Sequence, residues 1–565
     1  MKDPGYEKVY KRFDKGVNFN NQIDLYSTVE NNENFYIGKH WEGVKANGNP
    51  TPVFNVLKRV TSFQVAKITS DNFAIQVTPL SSTSKYSLGD VEKITDVINK
   101  QFASLVERNK LVSKTRVFTR NAAVDGDGAT YTYFDPDIET GQDSKGDIVT
   151  EIVENTRIVF GNPNDNDVQS QPYIIICLRK PVDEVKRMAK ANGNSEDNIK
   201  PDEEPNGNYY DSLTDDKVTL LVYMERDPES GNIWAGKYTQ SGVVEDFKDT
   251  ELRLYPITWM NWDYVQDCYH GHALISQLIP NQVFINQMFA LTMRSLMTTA
   301  FPKYIYDKTR IPNWDSGVGR AIAVNGGDIN SIAKVMDPAA ISPQVAQFIE
   351  MAISHTQELM GASDAALGDT RPDNTSAIIA LQRASDAPLE VIKQNVFQAL
   401  EDLARIYLDM MRAYYGVRYA QVKLLTKNEL NNQPLGMTLP EQDFNTPFDF
   451  AILNEIPLSL KVDVGASSYW SEIAAVQTLD NLLMQKQITV DEYLERIPEG
   501  YVSKKQELID KRRGMNAAGM MPGAPMPAPA PAPAAPMMES GEPIPVKGGK
   551  GYGELQRALN TTGIA

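Results

Sequence analysis

Three side chains that can bind a metal stand close together in the run CYHGH, namely Cys268, His270 and His272. Thiolate and imidazole are typical zinc ligands, and a zinc-bound water can act as a hydrolytic nucleophile. Zinc sites usually draw further ligands at characteristic spacings, and none follows this run. We therefore interpret the run as the polar entrance to a helix and keep a metal-dependent enzyme as an alternative.

Two acidic loops offer a second kind of chemistry. The runs DGDG at residues 125–128 and NPNDNDV at residues 162–168 contain the acids and amides of calcium loops, but the twelve-residue ligand pattern is missing. Hairpin turns favour the same residue types. The chain also lacks the phosphate-binding loop GxxxxGK[ST], the GxSxG elbow and the HExxH zinc motif. The sequence therefore predicts no enzyme activity and no cofactor.

Charge and cysteine content limit the classes of function. The 565 residues carry 73 acidic and 56 basic side chains, a net charge of −17. A protein that holds nucleic acid tightly needs clustered cations, so we expect at most weak, non-specific contact with DNA. The two cysteines are too few for a disulfide framework and fit a reducing compartment. No apolar run reaches the length of a membrane span, so no membrane partner is predicted.

Helical periodicity dominates residues 1–110, and strand patterns dominate residues 125–262. In the first part, apolar residues recur at steps of three and four in one clear run: Val91, Ile94, Ile98, Phe102 and Leu105. In the second part, short β-branched runs alternate with Gly and Asp turns, and one helix is expected over residues 181–193. The expected fold class is α+β.

Two long helices and one shorter helix are predicted in the second half of the chain. The first long helix covers residues 271–300, with a bend at Pro280. The second long helix covers 375–415, with a kink at Pro388, and the shorter helix covers 342–360. Short strands are expected over 417–468 and helices over 470–513. The remaining residues are rich in Pro, Ala and Gly, a composition that favours an extended tether.

Three segments resemble portal proteins of tailed bacteriophages. NENFYIGKHW resembles the family's asparagine–aromatic–glycine–tryptophan signature near the N-terminus. YHGHALISQLIPNQVFINQ resembles its stem-helix opening, and MGASDAALGDTRPDNTSAIIALQRASDAPLE resembles its loop followed by a kinked helix. The segments occur in the family's order, and the resemblance covers roughly residues 20–510.

The resemblance implies a portal fold with a mixed α/β wing, a stem of long helices, a loop-rich clip and a helical crown. The implied parts are the wing (1–264), the stem helix (265–300), the clip (301–338), the second stem helix (339–360), the tunnel loop (361–375), the long kinked helix with wing strands (376–469), the crown (470–513) and a flexible tail (514–565).

The resemblance also implies a function and its partners. About twelve copies would form a ring at one vertex of the viral capsid, with a channel for packaging and ejecting DNA. The implied partners are double-stranded DNA in transit, the terminase large subunit, head–tail connector or adaptor proteins, the major capsid protein and a scaffolding protein. The protein would be assembled in the host cytoplasm and reside in the virion. Two alternatives remain: a metal-dependent DNA-processing enzyme, and a capsid or scaffold component without a channel.

Four groups of residues receive roles from this resemblance. The tunnel loop would expose charges to DNA, the clip would dock partners, aromatic residues would pack the wing, and one helix stripe would be shared between subunits. The tunnel-loop residues are Asp364, Asp369, Arg371 and Asp373, and the clip residues are Lys303, Arg310, Trp314 and Arg320. The wing residues are Phe35, Tyr36 and Trp41, and the stripe is Leu389, Val396, Leu400 and Tyr407.

Overall fold

The computed structural model divides the chain into two compact units, Met1–Ala475 and Val476–Ala565. The structure describes residues 2–70, 73–79, 88–142, 144–202, 216–300, 304–314, 322–326, 328, 332–335, 343–359, 389–424, 442–456, 458–464, 479–480, 482–485 and 487–497.

Five helices occupy the N-terminal part of the first unit. They are α1 (Tyr6–Gln22), α2 (Leu25–Ile37), α3 (Val56–Ile68), α4 (Leu88–Arg108) and α5 (Leu111–Asp125). The periodic apolar residues of α4 are at most 7% exposed, so its predicted buried face is confirmed. A strand, β1 (Phe73–Pro79), lies within the region that was expected to be mostly helical.

Two antiparallel sheets follow. The three-stranded sheet has the order β3–β2–β9, formed by β2 (Asp127–Asp135), β3 (Asp147–Val153) and β9 (Ile257–Asn261). The five-stranded sheet runs in sequence order through β4 (Ile158–Phe160), β5 (Tyr173–Pro181), β6 (Lys217–Arg226), β7 (Ile233–Tyr238) and β8 (Val243–Asp249). Helix α6 (Val182–Ala191) connects β5 to β6. The mixture of helices and sheets confirms the predicted α+β class.

Three further helices of the first unit lie within the described ranges. Helix α7 (Leu274–Ala300) continues through Pro280, α8 is Pro343–Leu359, and α9 is Glu390–Met410. A π-helical turn, Met411–Tyr415, extends α9 up to Gly416. Pro388, the predicted kink, lies outside the described residues.

The remaining described strands pair over short and very long sequence separations. Strand β10 (Tyr304–Tyr306) pairs with β11 (Ala333–Val335), and β12 (Val417–Leu424) pairs with β13 (Gln442–Asp449). Strand β14 (Leu458–Val464) pairs with β1, which comes almost 400 residues earlier, with Phe73 opposite Val464. In the second unit, α10 (Val490–Arg496) starts with a capping box between Thr489 and Glu492.

Candidate functional site

The first half of α7 is attached to the N-terminal helices by buried amides. Gln282 Nε2 donates to the Phe54 carbonyl at 2.7 Å, and its Oε1 accepts from the Leu57 backbone N–H at 3.1 Å. Gln282 also donates to Asn286 Oδ1, and Asn286 Nδ2 contacts His40 Nδ1 at 2.8 Å. Because buried polar groups are costly unless hydrogen-bonded, these satisfied amides fix the position of α7 against the loop before α3.

The aromatic residues at the end of α2 contribute to the same attachment. Phe35 stacks on the His40 ring with 5.0 Å between centroids, and Trp41 Nε1 donates to the Pro52 carbonyl at 2.9 Å. The Tyr36 ring carries the Arg120 guanidinium at 4.7 Å from its centroid. These aromatic side chains therefore hold the loop between α2 and α3 against the helices that pack on α7.

His40 must be neutral for this arrangement. Its Nε2 donates to the Phe35 carbonyl at 2.8 Å, so Nδ1 is left to accept from Asn286. Burial lowers the pKa of the His40 imidazole below its usual value, with the two hydrogen bonds acting in the opposite direction. Protonation would turn Nδ1 into a donor facing the Asn286 amide, which is itself a donor.

We expect the stability of the wild-type protein to fall as the pH drops below about 6.5. Below about pH 6.5 the imidazole of His40 takes up a proton in the unfolded chain but resists protonation in the folded chain. The neutral imidazole therefore stabilises the fold at a pH above the unfolded pKa. This contribution is lost as the pH falls through the folded pKa. His40→Gln cannot titrate at this position and should lack this part of the pH dependence. Urea unfolding of both proteins between pH 5 and 8 measures it; parallel curves would contradict the role of His40.

A second buried network surrounds the start of β2. The Asp127 carboxylate, 1% exposed, accepts four contacts, two on each oxygen. Oδ1 accepts from the Gly271 backbone N–H at 2.7 Å and from Asn261 Nδ2 at 2.8 Å, and Oδ2 contacts His270 Nδ1 at 2.7 Å and Asn155 Nδ2 at 3.1 Å. This carboxylate therefore joins β2, β9 and the loop that leads into α7.

The three candidate metal ligands of the CYHGH run do not form an open site, and His270 belongs to the Asp127 network. His270 is 3% exposed, and its second ring nitrogen faces Asn20 Oδ1 at 3.3 Å. His272 Nδ1 faces Gln277 Nε2 at 3.4 Å, and burial raises the pKa of the Cys268 thiol. Among the described residues, no three His, Cys, Asp or Glu side chains are placed to hold a metal ion. This geometry gives no support to the metal-dependent alternative.

The acidic loop at residues 162–168 makes hydrogen bonds typical of a turn. Asp165 accepts from the Ser170 hydroxyl at 2.6 Å and from the Asp167 backbone N–H at 2.9 Å, which lowers the pKa of its carboxyl group. Asp167 in turn accepts from the Gln169 N–H at 3.0 Å. Both carboxylates are thus used to shape the loop between β4 and β5.

Asp125, two residues before Asp127, has the opposite environment. It ends α5, and its Oδ1 has no hydrogen-bond partner within the described chain. Its Oδ2 lies 3.9 Å from Arg120, which already binds Glu33. Burial, followed by the nearby Glu33 charge, raises the pKa of Asp125 well above its usual range.

From Phe284 onward, helix α7 exposes apolar side chains, and so does the adjacent part of α8. The two helices pack together, with Phe284 and Phe348 in edge contact at 5.9 Å. Seven side chains are between 37% and 61% exposed: Phe284, Leu291, Met293, Leu296, Met297, Phe348 and Met351. We call these residues the stem face. Exposed apolar side chains grouped in this way indicate an interaction surface.

Sequence reasoning located α7 but not the division within it. Leu274, Leu278 and Ile285 are buried, whereas Met293, further along the helix, is 39% exposed. Periodicity identifies a face of a helix and does not say where along the helix the neighbouring elements end.

The predicted clip docking residues are described only in part. Arg310 is about half exposed and lies near Asp307, with 3.6 Å between Nε and Oδ2. Trp314 stacks on Tyr306 of β10 with 4.9 Å between ring centroids. Lys303 and Arg320 lie outside the described residues.

The stripe predicted at a subunit interface is placed differently by the structure. Leu389, Val396, Leu400 and Tyr407 are 0–6% exposed, and they belong to the apolar cores of a single chain. The Tyr407 hydroxyl lies 2.7 Å from the Thr150 hydroxyl of β3. These residues therefore hold α9 inside its own subunit, and the inter-subunit role is withdrawn for them. The long apolar stripe correctly predicted that these residues are buried, but it did not predict that their own chain covers them.

The tunnel-loop residues Asp364, Asp369, Arg371 and Asp373 lie outside the described residues, as does the tail after residue 514. No helix in the described ranges is both long and apolar enough to cross a membrane.

Comparison with known proteins gives one family match. The family described as Phage P22-like portal protein matches residues 228–468, from just before β7 to just after β14. This range contains α7, α8 and α9 and is narrower than the resemblance read from the sequence. No curated protein matches the chain.

Proposed function

Because residues 228–468 match the family described as Phage P22-like portal protein, we propose that this chain performs the portal role as a closed ring of about twelve copies. The ring would occupy one capsid vertex and pass DNA through its axis during packaging and ejection. The family match supports the portal role, and the ring and its channel are our extension of it.

The stem face is the observation that carries this proposal. Its seven exposed apolar residues come from two helices inside the matched range. An isolated chain leaves such a surface in contact with water. A heterologous contact that is repeated around an axis covers this surface on every copy. Neighbouring stems would therefore pack against one another through α7 and α8.

The charges of the stem suit DNA in transit. Helix α7, about 40 Å long, contains Arg294 as its only charged residue, and α8 contains Glu350 and Glu358 with no Lys or Arg. Neutralising phosphates releases counterions and creates strong binding, so a stem with few cations would hold DNA weakly. In this proposal Asp364, Asp369 and Asp373 of the tunnel loop add repulsion, with Arg371 as the single cation among them.

Partners would dock away from the stem. We place terminase and the connector proteins at the clip, near Arg310 and Trp314, and the major capsid and scaffolding proteins at the wing. The tail after residue 514 would act as a tether, because its Pro-rich composition denies it regular hydrogen bonds.

Leu296→Asp should abolish rings while leaving the subunit folded. Leu296 is 55% exposed, so the substitution removes no core contact in the single chain, but it buries a charge in the proposed stem contact. Negative-stain electron microscopy of the purified protein measures the number of rings. Val44→Asp, at a residue that is also 55% exposed but lies in the loop after α2, is the matched control.

Three outcomes decide between the candidate functions. Wild-type rings with an axial hole, lost only in Leu296→Asp, support the portal proposal. Open sheets or shells would favour a capsid or scaffold component. Metal-dependent cleavage of DNA by a wild-type protein without rings would favour the enzyme.

A further inference from the structure

Helices α3 and α5 form a basic groove on an acidic protein. Together they carry six Lys or Arg residues and one acidic residue, the buried Asp125, in a chain of net charge −17. The two helices pack together and enclose a groove of about 440 Å³ beside Tyr36. Such a concentration of one charge sign against the overall charge indicates a negatively charged partner.

Two arginines of the groove are available to a partner. Arg116 lines it from α5, and Arg59 lies one turn before Ser62 on the same side of α3. Both are exposed, and neither makes an ion pair or hydrogen bond within the described residues. Arg120, in contrast, is held by both oxygens of Glu33.

The floor of the groove is aliphatic, which favours a polypeptide over a nucleic acid. Val65, Ala66 and Val117 line it, and Val117 is 46% exposed. Tyr36, the aromatic residue of the groove, already carries Arg120 and Lys58 against its ring, so it is not free to stack on a base. Phosphates alone would pair with the arginines and leave the aliphatic floor in water.

One segment of the chain has the complementary composition. Residues 203–216, EEPNGNYYDSLTDD, contain five acidic residues and no basic residue, together with Tyr209, Tyr210 and Leu213 as apolar anchors. The segment lies outside the described residues except for Asp216. An acidic run with apolar anchors matches both the arginines and the aliphatic floor.

The acidic segment, residues 203–216, is attached next to the five-stranded sheet, whereas helix α5 of the groove packs on the other sheet. Asp202, just before the segment, is bound to Thr219 of β6, and Lys217, just after it, starts β6 in the five-stranded sheet. Helix α5 packs on the three-stranded sheet and on α7. A heterologous ring contact requires two different complementary surfaces on each copy.

We propose that the α3–α5 groove binds residues 203–216 of a neighbouring copy, a contact that rests on the ring proposed above. Arg59 and Arg116 would pair with its acids while the apolar side chains cover Val65 and Val117. The contact would join wings of adjacent subunits and would weaken as salt increases.

Peptide binding tests the groove without requiring a ring. The host is the full chain with Asp211→Lys and Asp215→Lys, so that its own segment no longer competes, and the probe is a fluorescein-labelled peptide of residues 203–216. Adding Arg59→Glu and Arg116→Glu should weaken binding about tenfold in anisotropy titrations, because two attractive charge contacts are replaced by like-charge contacts. Lys11→Glu with Lys15→Glu, two exposed lysines of α1, changes the net charge equally and should have no effect.

Charge exchange supplies the decisive readout. A peptide with Asp211→Lys and Asp215→Lys should regain affinity for a chain that carries Arg59→Glu and Arg116→Glu but keeps its own Asp211 and Asp215, so that its own segment does not compete. Equal peptide binding with and without the groove substitutions would overturn the proposal, as would tighter binding of a duplex DNA probe at these arginines. Wild-type protein without rings would refute the ring, while the peptide titration would still report on the groove.

Discussion

Leu400→Asp is expected to prevent the subunit from folding, not merely from assembling. Leu400 is 6% exposed and packs in the core that α9 shares with α3, α5 and α7. The substitution removes a buried apolar side chain and places a carboxylate in an apolar core, at a cost above about 4 kcal/mol. That is a large fraction of the stability of an ordinary domain. We expect insoluble protein, or a soluble form with little protection against amide hydrogen exchange.

Val391→Asp provides the control on the same helix. Val391 is 63% exposed near the N-terminus of α9, where a carboxylate suits the helix dipole. Its effect on folding should stay within about 0.5 kcal/mol. If Leu400→Asp yields soluble, protected subunits that only fail to form rings, the assignment of this stripe to the subunit core is wrong.

The second large effect is expected at Asp127. Asp127→Asn replaces one carboxylate oxygen by an amide NH2 group. This NH2 group would face a donor that now binds that oxygen, either the Gly271 N–H on Oδ1 or the His270 ring N–H on Oδ2. Buried donors left facing one another should lower the free energy of unfolding by about 3 kcal/mol. The loop that holds His270 and precedes α7 should lose hydrogen-exchange protection first, because Asp127 is its anchor to β2.

Asp125→Asn, two residues away, should act in the opposite direction. The folded pKa of Asp125 is raised, so the protonated form stabilises the fold, and this contribution is lost as the pH rises through the folded value. An amide imitates the protonated form and should therefore raise the free energy of unfolding at neutral pH. Urea midpoints of both variants at pH 7 make the comparison. Similar losses in both would show that the two environments do not differ as described.

The sequence by itself determined the features that depend on neighbours along the chain. Consecutive residues are enough to predict the apolar period of α4, the extent of α7 and the strands β5 and β6. The reason is that side-chain direction repeats every 3.6 residues in a helix and every 2 residues in a strand. The acidic loop before β5 is of the same kind, since Asp165 and Asp167 bond within a few residues of themselves. The portal-like segments could also be read directly, and the match over residues 228–468 confirms that resemblance.

Only the tertiary structure decided which distant residues meet. Pairing of β1 with β14 joins residues almost 400 positions apart, and local composition does not choose between partners at such distances. The same reason explains His270, a candidate metal ligand by residue type, whose contacts with Asp127 and Asn20 only the fold could supply. It also explains α9 and α7, which both show apolar faces in the sequence. The apolar face of α9 is covered by its own chain, whereas the later part of α7 stays exposed. Burial depends on which other elements of the fold pack against each face.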